Sequence, residues 1–226
     1  KNPATSTLSF AAMPTLYHCV SARSFRPLWT LEELQVPYAL KMLPFPPRAL
    51  QRSYLDINVL GTVPFLEDGD QTMTESAAMC QYLAETQDPD NRLGLWVGRG
   101  ERDHAHYLNW LHHGEATLTF PQTLVLRYGR FEPPERRQPQ VAEDYGRWFL
   151  ARLRAIAARL EHQSFLAADR FTAADISVGY ALMLGELVGL SGQYPASVQA
   201  YWERLRQRPG HLRALAAQER AALAQG

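Results

Sequence analysis

Cysteine is scarce in this chain. Only Cys19 and Cys80 occur among 226 residues. Two thiols cannot build the dense cross-linked framework of a small secreted domain, so the expected setting is a reducing one, the cytoplasm. Excess charge is missing too: 23 Lys and Arg face 23 Asp and Glu. Neither nucleic acid nor an anionic membrane surface is therefore indicated as a partner. No apolar run approaches the ~20 residues that a bilayer-crossing helix needs. Residues Lys1 to Ala12 have no apolar core of a secretory signal and no period. They read as a loosely ordered leader over 1–13, either residues placed ahead of a natural start at Met13 or a dispensable extension. No internal repeat is present.

What is present is ordinary globular composition, 46% hydrophobic and 20% charged, in a chain long enough for one or two domains with a substantial core. Thr15–Cys19 is a short β-prone run, broken at Ser21-Ala22-Arg23-Ser24. Phe25, Leu28, Trp29, Leu31 and Leu34 then recur at helical spacing, with Pro27 tolerated in the first turn and Ser24 placed to cap. Tyr38–Leu43 is a second strand, and a β-α-β crossover joins parallel strands. Leu50–Ile57 reads as a short irregular helix. Phe65-Leu66 and Thr72-Met73 pair around an Asp-Gly turn, and Ser76–Glu85 is a helix.

From 97 onward the pattern is helical throughout. Arg99 to about Tyr128 is one stretch that Pro121 should kink or split. Val141–Leu160 carries a stripe of Tyr145, Trp148, Phe149, Leu153, Ile156, Ala157 and Leu160, with Arg147, Arg152, Arg154 and Arg159 facing water. Further helices are expected near 173–188, 197–207 and 211–223. The expected organisation is a mixed α/β unit over 14–87, a linker over 88–96, and an all-α unit over 97–226.

Four motifs carry the chemical reading. Thr172-Ala173-Ala174-Asp175, flanked by Phe171 and Ile176, is a capping box with a hydrophobic staple. Val63-Pro64 opens a strand with a residue that cannot donate to the ladder. It is an edge-strand proline or a cis turn that faces its neighbour's backbone outward. Glu75-Ser76 opens a helix. It is a plain cap, or a carboxylate beside free N–H groups that together hold an ammonium and a carboxylate. Ser21 lies where a strand ends and a helix begins. It is a strand terminator, or a hydroxyl placed to donate to an anion at the positive end of a helix dipole. Ser24 is its alternative in that role.

Cys19 and Cys80 read as buried inert thiols. His104, His106, His112 and His113 include no pair at i, i+4 spacing, so no metal is expected. Tyr17 reads as strand packing.

Taken in order, the serine turn, Val63-Pro64, Glu75-Ser76 and Phe171-Thr172-Ala173-Ala174-Asp175-Ile176-Ser177 resemble the cytosolic glutathione S-transferase superfamily. The match is to bacterial-type members with a serine active site, nearest in motif to the zeta, tau and theta classes. The likeness runs from Pro14 to about Ala217. It implies a thioredoxin-like glutathione-binding domain followed by a helical domain.

It also implies roles. Ser21, five residues before Arg26, donates to the glutathione thiol. Val63, before a cis Pro64, pairs with the cysteinyl backbone of glutathione. Glu75 and Ser76 hold its γ-glutamyl end, and Arg48 (or Gln51) faces its glycyl carboxylate. The second substrate, a small and mostly apolar electrophile, is expected between the domains against Cys19 or Val20 and the helix holding Tyr107, Trp110, Leu111, Glu115 and Leu118. The resemblance further implies a homodimer. The chain departs from many relatives at Thr62, where they carry Lys. Two other readings stand beside conjugation: a non-catalytic glutathione-binding or sensing module, and a glutathione-dependent isomerase or disulfide reductase on the same fold.

Overall fold

A computed structural model describes residues 13–225. The expected leader lies outside the described residues apart from Met13. Strand β1 (Thr15–His18) runs parallel to β2 (Ala39–Met42) through helix α1 (Phe25–Leu34). β3 (Phe65–Asp68) lies antiparallel on the other side of β1 and turns at Gly69-Asp70 into β4 (Gln71–Met73). The sheet order is β2-β1-β3-β4. Between β2 and β3 the chain makes a single helical turn, α2 (Pro47–Leu50), and a 3₁₀ turn over Arg52–Asp56. Helix α3 (Ser76–Gln87) closes this thioredoxin-like unit.

The second half is helical. It comprises α4 (His104–His112), α5 (Phe120–Leu126), α6 (Pro139–Leu160), α7 (Ala173–Leu187), α8 (Ala196–Arg206) and α9 (Pro209–Leu223). Helix α7 is apolar around its whole circumference, and every residue from Ala173 to Gly185 is buried. A helix of that kind belongs at the centre of a bundle. Its start is the capping box: Thr172 Oγ1 accepts the Ala174 N–H at 3.3 Å, and Asp175 Oδ2 accepts the Thr172 N–H at 2.8 Å. Asp175 Oδ1 also takes the Leu166 N–H and the Tyr201 hydroxyl. The box therefore ties α7 to α8 as well as capping its start.

Helix α1 joins the two halves. Phe25, Leu28, Trp29 and Leu31 are wholly buried. Glu33 receives a two-pronged ion pair from Arg208, at 2.8 and 3.0 Å, a geometry that suits the planar guanidinium.

Three local expectations change. Ser24 does not cap α1 with its side chain. It sits in helical backbone geometry, and its hydroxyl bonds the Cys19 N–H and C=O. The stretch around Pro121 is not broken at the proline. It widens into π-helical turns at His113–Thr119 and again at Arg127–Phe131. Pro121 has no N–H for the carbonyl one turn earlier, and a wider turn upstream absorbs that defect. On α6, Trp148 and Arg159 exchange expected environments. Trp148 is 43% exposed, stacked on Tyr145 with Arg152 over its face. Arg159 is drawn inward by the Leu166 carbonyl and Asp103, each at 3.0 Å.

Candidate active site

The strand β1 ends at His18, and the chain reverses through Cys19–Ala22, closed by the Ala22 N–H on the Cys19 carbonyl at 3.1 Å. Ser21 is the third residue of that turn and has φ +55°. This left-handed position favours glycine, and a side chain there costs roughly 1–2 kcal/mol. Ser21 is half-buried, lines an open groove, and its hydroxyl makes no hydrogen bond to the described residues. Helix α1 begins four residues later, so the serine stands before the positive end of a helix dipole.

The groove has a volume of about 980 Å³ and lies between the two halves of the chain. One wall is the thioredoxin-like unit: Val20, Ser21, Arg48, Thr62, Val63, Pro64, Glu75 and Ser76 all border it. The Val63–Pro64 peptide is cis, as is Phe45–Pro46. The Val63 N–H and C=O make no hydrogen bond within the described residues. The Thr62 carbonyl behind it accepts from Tyr54 and Asn58, at 2.8 and 2.9 Å. Gly61 allows this packing. Its φ is +58°, and a Cβ there would lie 2.6 Å from that of Arg48.

Glu75 is exposed and occupies the N-cap of α3 without a side-chain cap bond. The first N–H groups of α3 are thus left without a capping side chain. Ser76 is buried, and its hydroxyl accepts from Arg26 Nη1 at 3.1 Å.

The opposite wall differs from expectation. Val20 and Glu115 border the groove, but Tyr107, Trp110 and Leu111 do not. Those three are 0, 7 and 0% exposed and belong to the main core. Helical spacing identified an apolar face correctly, but that face packs inward instead of lining the groove. Leu118 and Cys19 are buried as well. Burial pushes the Cys19 thiol up to about 12, so it is inert. The wall is instead made by Thr123, Leu126, Arg127, Arg130, Phe131, Tyr180 and Leu184. Phe131 faces Phe45 across the groove mouth at 5.4 Å between ring centres. Both π-helical turns deliver groove residues, Glu115 from the first and Arg127, Arg130 and Phe131 from the second. The only sequence signs of these turns are Gly114, Gly129 and Pro121.

Glu115 sits between Arg23 and Arg26, accepting from each at 2.5 Å. Arg26 is wholly buried, and its remaining donors reach Ser177 O, Gly114 O, Thr119 Oγ1 and Ser76 Oγ. Burial alone would raise the Glu115 carboxyl. The two guanidiniums more than offset it and hold Glu115 below the ordinary carboxylate range. Gly114 has no room for a side chain, since a Cβ would lie 2.4 Å from Ser177 Oγ. Of the histidines of the α4 region, His104 Nδ1 bonds the Val97 carbonyl, and His113 lies edge-on to Trp110.

Comparison with known proteins agrees with this geometry. Residues 20–86 match the family model described as "Glutathione S-transferase, N-terminal domain". The chain is similar to glutathione S-transferase 4 of Zea mays, 30% identical over 192 residues, covering 81% of this chain and 83% of that one. It is also similar to glutathione S-transferase 3 of Schizosaccharomyces pombe, 33% identical over 109 residues, which span 47% of this chain and 43% of that protein. Among solved structures, the ternary complex of BphK, a bacterial enzyme of this kind, superposes with a TM-score of 0.77 at 26% identity, over 91% of this chain and 99% of that one. A likeness that runs the length of both halves, on a groove walled by a serine turn, a cis-proline loop and an open helix start, leads to one conclusion: the chain belongs to the glutathione S-transferase family.

Proposed function

We propose that this protein conjugates glutathione to a small, mostly apolar electrophile. The observation that carries the reading is the meeting, on one groove wall, of Ser21, the unbonded Val63 backbone, Glu75 and the open start of α3. A γ-glutamyl group carries both charges that such a helix start and carboxylate select. Val63 offers a backbone donor and acceptor to the cysteinyl residue. Arg48, exposed on the same wall, offers a fork to the glycyl carboxylate. Ser21 then donates to the sulfur, which favours the thiolate over the thiol, and the proton passes to solvent.

The thiolate attacks the electrophilic carbon of the second substrate. With a chlorinated nitroaromatic, a C–S bond forms, the C–Cl bond breaks, and chloride leaves with the electron pair. Phe45, Phe131, Leu126 and Leu184 give the acceptor an aromatic and aliphatic bed, so the protein supplies orientation and electrostatics. The same reading includes a homodimer. Leu50, Ile57, Val59 and Leu60 support it, being 45 to 85% exposed on one segment beside the groove. Among the described residues no helix is long and apolar enough to cross a membrane.

Ser21→Ala should lower turnover with 1-chloro-2,4-dinitrobenzene by about 10²-fold, the usual effect of losing one preorganised donor. It should also move the pH–rate profile to a higher pKa. Ser21→Gly should do the same while leaving the melting temperature close to the parent's, because glycine relaxes the left-handed backbone as it gains freedom in the unfolded chain. An unchanged profile in both variants removes Ser21 from this role. Calorimetry with glutathione separates conjugation from the alternatives: no binding at millimolar ligand overturns the proposal.

A further inference from the structure

Ser21 directs a hydroxyl that no other side chain holds. Its aim therefore rests on the backbone, and the backbone is in a conformation that serine does not choose by itself. Both polar groups of that backbone are gripped from the far end of the chain. The Ser21 N–H donates to Gln218 Oε1 at 3.0 Å, and the Ser21 carbonyl accepts from the Tyr180 hydroxyl at 3.2 Å. Gln218 stands on α9 and Tyr180 on α7, and their exposures are 6 and 2%.

The chemistry fixes the orientation of the amide. A backbone N–H only donates, so it is the side-chain oxygen of Gln218 that faces Ser21. That same oxygen lies 3.1 Å from His18 Nε2, so this nitrogen carries the proton and donates to it. His18 is wholly buried at the end of β1, so one amide oxygen ties the last strand residue and the turn serine together. Tyr180 is held in turn by the Arg26 guanidinium, 4.4 Å over its ring.

We propose that Gln218 and Tyr180 are positioning residues for Ser21, holding its turn in the left-handed form that keeps the hydroxyl on the groove, so that the helical half of the chain sets the acidity of the bound thiol. The inference rests on the role given to Ser21 above. Neither residue needs to touch the sulfur.

The test is a pH series of kcat/KM with glutathione and 1-chloro-2,4-dinitrobenzene, together with ultraviolet titration of the bound thiolate. Gln218→Leu keeps the size of the side chain and removes the acceptor. It should raise the apparent thiol pKa by about one unit and lower kcat/KM below that pKa by about tenfold, with the far-ultraviolet spectrum of the parent. Gln218→Glu restores an acceptor oxygen and should recover most of the loss. Tyr180→Phe, which removes a single hydroxyl, should shift the profile in the same direction and serves if Gln218→Leu does not fold.

In a Ser21→Ala background neither change should move the thiol pKa further. The inference is overturned if Gln218→Leu and Tyr180→Phe leave the profile where it is, or if they shift it equally with and without the Ser21 hydroxyl. Failure of the Ser21 reading looks different, because Ser21→Ala alone then leaves the thiol pKa unchanged.

Discussion

Replacing Arg26 with Leu is expected to destabilise the fold by about 3–5 kcal/mol, while replacing Arg23 with Ala costs about 1 kcal/mol or less. Both arginines reach the same carboxylate at 2.5 Å, so distance does not separate them. Burial does. The Arg26 side chain is 0% exposed and that of Arg23 is 36%. Removing Arg26 leaves Glu115 half-paired. It also strips a donor from Ser76, Gly114, Thr119 and Ser177, of which all but Ser76 lie in the helical half. The Gly114 carbonyl keeps the Thr119 hydroxyl, but Ser76 Oγ and Thr119 Oγ1 lose their donor, and a buried acceptor without one costs about 1–3 kcal/mol. Arg23 stands at the groove wall, where water takes over its share. Denaturant midpoints for the two variants check this directly, and equal losses would contradict it. Because Arg26 also holds Ser76, glutathione affinity should fall with stability in Arg26→Leu.

Acid should weaken the fold well before ordinary carboxylates titrate. His18 and His211 are buried, and burial pulls both down to about 4 from the ordinary 6.5. The Gln218 oxygen and the Ser24 backbone only partly counter this at His18. His211 lies edge-on to Phe25, Trp29 and Trp202, at 5.5, 4.7 and 5.5 Å, and bonds the Arg206 carbonyl. Arg206 pushes its pKa down, while Glu33 and Glu186 push it up. A folded-state pKa depressed in a histidine means that the unfolded chain takes up the proton first. Stability is therefore full above pH 6.5 and is lost as pH falls from there to about 4, by roughly 3 kcal/mol for each histidine.

Asp175 opposes this. Burial pushes it up to about 6, ahead of the lowering by its Tyr201, Leu166 and Thr172 donors. The stability tied to its proton is present below the ordinary carboxylate pKa and lost as pH rises through about 6. Its return on acidification offsets roughly one histidine. The net expectation is a loss of about 3 kcal/mol between pH 6.5 and 4, a large part of a typical stability of about 5–15 kcal/mol. His211→Phe should flatten the curve of denaturant midpoint against pH. A parent curve that is already flat across this window would refute the assignment.

Much of the site was legible because its signals are local. The capping box needs two side chains three residues apart, and it formed as read. The cis Val63–Pro64 peptide and the exposed Glu75 at the start of α3 lie in one short stretch, and the structure sets them on the groove wall with Ser21. Other features were invisible for the same reason. Tyr107, Trp110 and Leu111 mark an apolar face, but periodicity cannot say whether such a face meets the core or a ligand. Of the side chains that do form the far wall, Glu115, Arg127, Arg130 and Phe131 sit on π-helical turns, which no regular spacing in the sequence announces.

The sequence by itself determined the order of elements, the turn that presents Ser21, and the open helix start beside Glu75. Each of these is set by residues within a few positions of one another. Only the tertiary structure decided that Arg26 is wholly buried against three partner segments, that Glu115 is shared by two arginines, and that Ser21 is gripped through its backbone by Gln218 and Tyr180. Those contacts join residues 50 to 197 positions apart. Such pairs have no periodicity or spacing along the chain, because they exist only once α1 has packed against α7 and α9.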